Sequence, residues 1–97
     1  MLILKVLSRH GELHGYEIAN AIQQVSEEVL QVEEGSLYPA LQRMLIKGWV
    51  TAKWGVTEGN RRARYYKPTV AGRRQLDTET ARYERVNEAI RKVLQMA

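Results

Sequence analysis

Apolar residues recur every three or four positions through the first half of the chain, alternate near its middle, and return to a helical period at its end. Leu2, Ile3, Val6 and Leu7 predict a short buried helix over residues 1–9. The segment His10-Gly11-Glu12-Leu13-His14-Gly15 interrupts it. Tyr16, Ile18, Ala19, Ile22 and Val25 then predict a second amphipathic helix over about 15–25, and the acidic, irregular stretch 26–35 reads as a connector. His14 is expected to cap or to pack. The third helix has Ser36 as its expected N-cap, which puts Pro39 at the third helical position, where a missing N–H costs nothing. Its buried stripe is Leu37, Leu41, Met44 and Leu45, its exposed side Tyr38, Gln42, Arg43 and Lys47, and Gly48 ends it.

The period then falls to two. Trp49-Val50-Thr51-Ala52-Lys53-Trp54 predicts one strand and Arg64-Tyr65-Tyr66-Lys67 another, with Gly59-Asn60 at the tip of the loop between them. Trp49 and Trp54 fall on opposite faces, so at least one is expected in the core, and the other either supports the last helix or is a candidate to line a ligand cavity between two copies. Thr69 caps a last helix whose seam, Leu76, Tyr83, Val86, Ile90 and Val93, is close to a heptad. At about 1.5 Å per residue that helix is about 40 Å long, more than the domain's own core needs, and is expected to pack on another chain.

Helix, helix, helix, hairpin, helix is the order of a winged helix-turn-helix. The expected fold is therefore mainly α with a small β-hairpin: residues 1–68 a winged helix-turn-helix DNA-binding domain, residues 69–97 a dimerisation helix.

Charge gives this architecture a partner. Residues 43–74 carry nine Lys or Arg against the single acid Glu58, a net of +8, whereas residues 1–42 carry −4 and residues 75–97 balance. Folding does not require such segregation, but a polyanion rewards it through counterion release. Tyr38, Gln42 and Arg43 lie near the start of the third helix, where recognition helices meet base edges; Gln suits adenine and Arg suits guanine. Arg61, Arg62 and Arg64 on the wing suit phosphates or a narrow minor groove, and Lys53 of the first strand is placed with them. Free N–H groups near Ser36 are a candidate phosphate site.

Other chemistries find little support. There is no Cys, and two His residues make no metal cluster. No Ser-His-Asp pattern, phosphate-cradling glycine loop or carboxylate pair in an apolar setting is present, so neither catalysis nor a cofactor is expected. No apolar run spans a membrane and the start lacks the features of a signal peptide, so the expected location is the cytoplasm. A winged helix used only for docking proteins is the alternative reading. It would need an exposed apolar patch on the third helix, and the Tyr38/Gln42/Arg43 face is polar.

Five segments in this order also carry a family resemblance: His14-Gly15-Tyr16-Glu17-Ile18, Gly35-Ser36-Leu37-Tyr38-Pro39-Ala40-Leu41, Lys47-Gly48-Trp49, Gly59 to Tyr66, and Thr69-Val70-Ala71-Gly72-Arg73. Together they closely resemble the PadR family of bacterial transcriptional regulators, over nearly the whole chain. The resemblance implies a homodimeric repressor on a pseudo-palindromic operator, joined through its last helix and responsive to a small aromatic or cationic effector. It implies DNA contact by Ser36, Tyr38 and Pro39, and places Asn60, Arg61 and Arg62 near the backbone. The single helix after the wing resembles the shorter subgroup. Family members usually carry about ten residues before the position of Met1, which implies either an internal start or a dimer that leans more on the last helix.

Overall fold

In the computed structural model, which describes residues 1–97, the elements run α1 (Leu2–His10), β1 (Leu13–His14), α2 (Gly15–Val25), α3 (Glu34–Ile46), β2 (Val50–Val56), β3 (Arg62–Pro68) and α4 (Val70–Leu94). This is the expected winged helix-turn-helix with one addition. β1 pairs antiparallel with β3, Leu13 opposite Tyr66 and His14 opposite Tyr65, giving the sheet order β1-β3-β2. Two residues are too few to show a period of two, so the sequence does not reveal this strand.

The core joins Leu4 and Leu7 of α1, Ile18 and Ile22 of α2, and Leu37, Leu41 and Met44 of α3 to Val50, Tyr66 and Leu76. Full burial of a leucine such as Leu41 contributes about 1.5–3 kcal/mol. α1 turns Leu4 inward and leaves Leu2 exposed, which corrects the expected stripe. Five of the six residues 2–7 are apolar, so more than one face satisfied the helical period. On α2, Tyr16 and Val25 are exposed rather than buried.

α3 starts three residues before the expected Leu37. Its N-cap is Glu33, whose carbonyl accepts from the N–H groups of Ser36 at 3.0 Å and Leu37 at 2.9 Å. Ser36 is thus inside the first turn and its own N–H is not free, which corrects its expected capping role. Acidic Glu33 and Glu34 at this end favour the helix dipole, so the last two residues of the expected connector, Glu34 and Gly35, belong to the helix, while residues 26–33 remain a connector. Pro39 falls inside the helix rather than in its first turn. At the far end, Gly48 takes φ 75° while the N–H of Trp49 reaches Met44 O at 2.9 Å and that of Gly48 reaches Leu45 O at 3.1 Å. Those are the two bonds of a Schellman stop.

The hairpin is longer than expected, pairing from Val50↔Pro68 out to Val56↔Arg62. Gly55, read from sequence as loop, lies within β2: a β-carbon there would come within 2.9 Å of the Tyr65 ring. At the tip it is Asn60, with φ 58°, that takes the left-handed conformation.

Thr69 ties α4 to the end of α3. Its Oγ1 accepts from the Gly72 N–H at 3.0 Å and donates to Gly48 O at 2.7 Å, while its N–H donates to Trp49 O at 3.0 Å. Leu76 then buries its side chain in the domain's own core, so the first two turns of α4 are integral to that core. Beyond Thr80 every residue is exposed apart from half-buried Asn87, and the molecule measures 58 × 29 × 22 Å.

Candidate nucleic-acid interface

Strand parity decides what the wing presents. Directly paired residues share a face, so Ala52 and Tyr66, Trp54 and Arg64, and Val56 and Arg62 stand on one side of the hairpin. Near α4 that side is core, closed by Tyr66. Farther out it becomes one wall of an open groove of about 740 Å³, lined by Trp54, Arg61, Arg62 and Arg64. The opposite wall is His14, Gly15 and Tyr16 at the start of α2, with Tyr38 of α3.

Local structure fixes that second wall. His14 caps α2 through a reciprocal pair: its Nδ1 accepts from the Glu17 N–H at 3.4 Å, and Glu17 Oε1 accepts from the His14 N–H at 3.1 Å. This is the expected capping role. The His14 ring meets Tyr65 edge-on at 5.4 Å between centroids. Tyr38 is 46% exposed and lies across Gly15, where a β-carbon would come within 2.9 Å of its ring edge and hydroxyl. Three guanidinium groups therefore face a cluster of aromatic rings across a trough open to solvent.

α3 presents its remaining polar residues around this edge. At about 100° per residue, Pro39, Gln42 and Ile46 follow one another along its outward face, all exposed. Tyr38 flanks them on the wing side. Ser36, Arg43 and Lys47 flank them on the other, lining a separate groove of about 650 Å³ that runs to Met1 and Ile3. Gln42 and Arg43 are thus on the surface, but Arg43 does not share the trough that holds Tyr38.

Lys53 is placed differently from expectation. Adjacent strand residues alternate, so it points to the face away from Trp54 and Arg64, where its Nζ lies 3.5 Å from Glu12 Oε2. Asn60 is exposed at the hairpin tip beside Arg61. The two tryptophans do not meet. Trp49 is half-buried against the core with Lys47 Nζ 4.7 Å from its ring centroid; Trp54 is 59% exposed on the wing. Of the expected dimer seam, Tyr83, Val86, Ile90 and Val93 are exposed and unpartnered, whereas Leu76 is 8% exposed and belongs to the core.

Sequence reasoning missed Tyr16, which is 73% exposed in the trough, because its position also fits the apolar stripe of α2. It also missed Ile46, exposed on the outward face of α3, because nothing in the helical period separates it from Leu45. A single isoleucine beside Gln42 and Arg43 does not amount to an apolar docking patch.

Comparisons with known proteins agree with this fold. The family model described as transcriptional regulator PadR-like family matches residues 3–78. An uncharacterized protein X of Lysinibacillus sphaericus is 32% identical over 78 residues, 79% of this chain and 71% of its own length. The structure of a transcriptional regulator from Clostridium thermocellum superposes with a TM-score of 0.84 at 28% identity, covering 94% of this chain and 87% of that one. Bacillus subtilis PadR, solved in complex with operator DNA, shares the fold at a TM-score of 0.70 and 24% identity, over 81% of this chain and 43% of its own. No helix of the chain is long and apolar enough to cross a membrane.

Proposed function

This chain belongs to the PadR-like family of transcriptional regulators, and on that premise we propose that it is a homodimeric repressor that reads a pseudo-palindromic DNA operator. The observation that carries the proposal is the trough between the start of α3 and the wing. Three arginines, all from the third of the chain that holds the whole positive excess, line one wall, and Tyr16 of α2 and Tyr38 of α3 line the other. Phosphate contacts position a protein on duplex DNA and base contacts specify sequence. In this reading Arg61, Arg62, Arg64 and Asn60 hold the backbone. The outward face of α3, with Ser36, Tyr38, Pro39, Gln42 and Arg43, enters the major groove. Lys53, turned to Glu12, adds only long-range charge.

Dimerisation completes the account. Tyr83, Val86, Ile90 and Val93 form the interface with a second copy, and the two α3 helices meet half-sites about 34 Å apart. Residues 1–68 then act as the reading domain and residues 69–97 as the dimerisation helix, with Leu76 anchoring one to the other. A small aromatic effector would take the groove beside Trp49, since Trp54 belongs to the DNA-facing trough and Arg43 and Lys47 disfavour a cation there.

Replacing Arg61 and Arg62 together with Ala tests the division of labour by fluorescence anisotropy across a salt series. Binding should weaken on operator and scrambled duplex alike, and the slope of log K against log salt should shrink by about 0.9 for each phosphate left without its arginine. A changed sequence preference at constant slope would contradict it.

A further inference from the structure

An exposed tryptophan on a solvent-facing strand needs a reason. Trp54 does not serve the core, because Tyr66, on the same face of the hairpin, already closes it. Nor does it lie in the groove beside Trp49. It does have a cation for a neighbour: the guanidinium carbon of Arg62 stands over the indole, 4.7 Å from the ring centroid. The two residues are diagonal neighbours across the hairpin, since Trp54 pairs with Arg64 and Arg62 with Val56. Diagonal pairs lie within reach of aromatic and long side chains.

We infer that Trp54 is a positioning residue for Arg62, holding its guanidinium over the trough in the orientation that meets a DNA phosphate. This rests on the DNA-binding reading of the trough. Arg62 opens β3 at the mouth of the five-residue loop, and neither an ion pair nor a hydrogen bond ties its side chain down. A free arginine there would spread over many rotamers, and each contact would first have to freeze it. The indole selects a conformer facing the trough before DNA arrives. A cation–π contact engages no hydrogen-bond acceptor, so it leaves the guanidinium N–H donors available to phosphate. Arg64, directly beside Trp54 across the strands, and Arg61 at the tip have no such support. Arg62 is therefore the wing residue whose contribution depends on an aromatic neighbour.

The test is a double-mutant cycle read by anisotropy on a fluorescein-labelled, mixed-sequence duplex at low salt, with the full chain. Trp54→Ala should weaken binding by about two- to fivefold, as expected for removing an exposed cation–π interaction. Trp54→Phe, which keeps a ring face, should recover part of the affinity; Trp54→Leu, of comparable bulk without one, should not. In an Arg62→Ala background Trp54→Ala should have no further effect. An undiminished effect in that background would mean that Trp54 touches DNA itself, and equal behaviour of the Phe and Leu variants would mean a packing role only. Either result overturns the inference. Thermal unfolding of each variant identifies any weakening that follows from misfolding, and Trp54→Phe keeps the test open if Trp54→Ala unfolds. A wild-type chain that binds no duplex would remove the DNA-binding reading as well. A wild-type chain that binds, with Trp54→Ala binding equally, would remove this inference alone.

Discussion

The ring of Tyr38 on α3 lies against Gly15 at the start of α2, so close that a β-carbon on Gly15 would stand 2.9 Å from both Cε1 and Oη. Gly15 has an ordinary helical backbone, so the close approach, not its conformational freedom, accounts for glycine there. The contact fixes the angle at which Tyr38 leaves the recognition helix. Gly15→Ala should displace the outer end of the Tyr38 ring, a half-exposed group that can move. Stability should change by less than about 1 kcal/mol, because alanine also favours the helix. Discrimination between operator and scrambled duplex should fall by roughly tenfold, the scale of one base-edge contact. Thermal unfolding and anisotropy on the same preparation separate the two effects.

Gly72 gives the opposite outcome. A β-carbon there would overlap the Trp49 carbonyl, which is held in place by the Thr69 N–H. Backbone pinned at both ends cannot yield as a ring edge can. Gly72→Ala should cost about 3 kcal/mol, the upper range for overpacking. The midpoint of urea unfolding checks it, and Gly15→Ala serves as the control.

Glu79 couples stability to pH. In a chain that starts at Met1, partial burial opposes its ionisation, but a hydrogen bond from Gln75 at 3.0 Å, the α-amino group at 2.9 Å and the charge of Arg82 outweigh it and hold the carboxyl below its ordinary value. A lowered folded-state value adds stability above the unfolded value, near about pH 4.3, and that stability disappears as pH falls through the folded one. Glu79→Gln should therefore lower the unfolding midpoint at neutral pH. The gap from wild type should close below about pH 4, and melts in a pH series read it.

The last turns of α4 set the oligomeric state in this account. Val86 and Ile90 are each about half exposed on a helix that nothing in the single chain covers. Replacing both with Glu should leave the domain folded, because neither touches the core cluster. Light-scattering mass should drop from about twice 11.2 kDa to that of one chain. An unchanged mass would move the interface elsewhere.

The architecture was largely legible because each helix carried its period and the hairpin changed it. Ala52 and Trp54 show how much of the wing face was readable: strand parity puts them together, and the register Ala52↔Tyr66 adds Tyr66 to the same side. What the sequence concealed follows from geometry without a local signal. β1 is two residues long, Ser36 resembled a cap that Glu33 supplies, and Leu4 was hidden among neighbours equally apolar. Lys53 joined the basic stretch by composition, and only parity with Trp54 reveals that it turns to Glu12. Tyr16 entered the candidate site through tertiary structure, since only the fold brings the start of α2 opposite the wing.

The most direct test of the central claim is anisotropy of the wild-type chain on a labelled fragment from upstream of its own gene, against a scrambled duplex, across a salt series. Binding should survive physiological salt and exceed that to the scramble by about a thousandfold. Equal, steeply salt-sensitive binding to both duplexes would contradict an operator in this fragment and leave only the electrostatics of the wing. No binding to either would contradict the account outright.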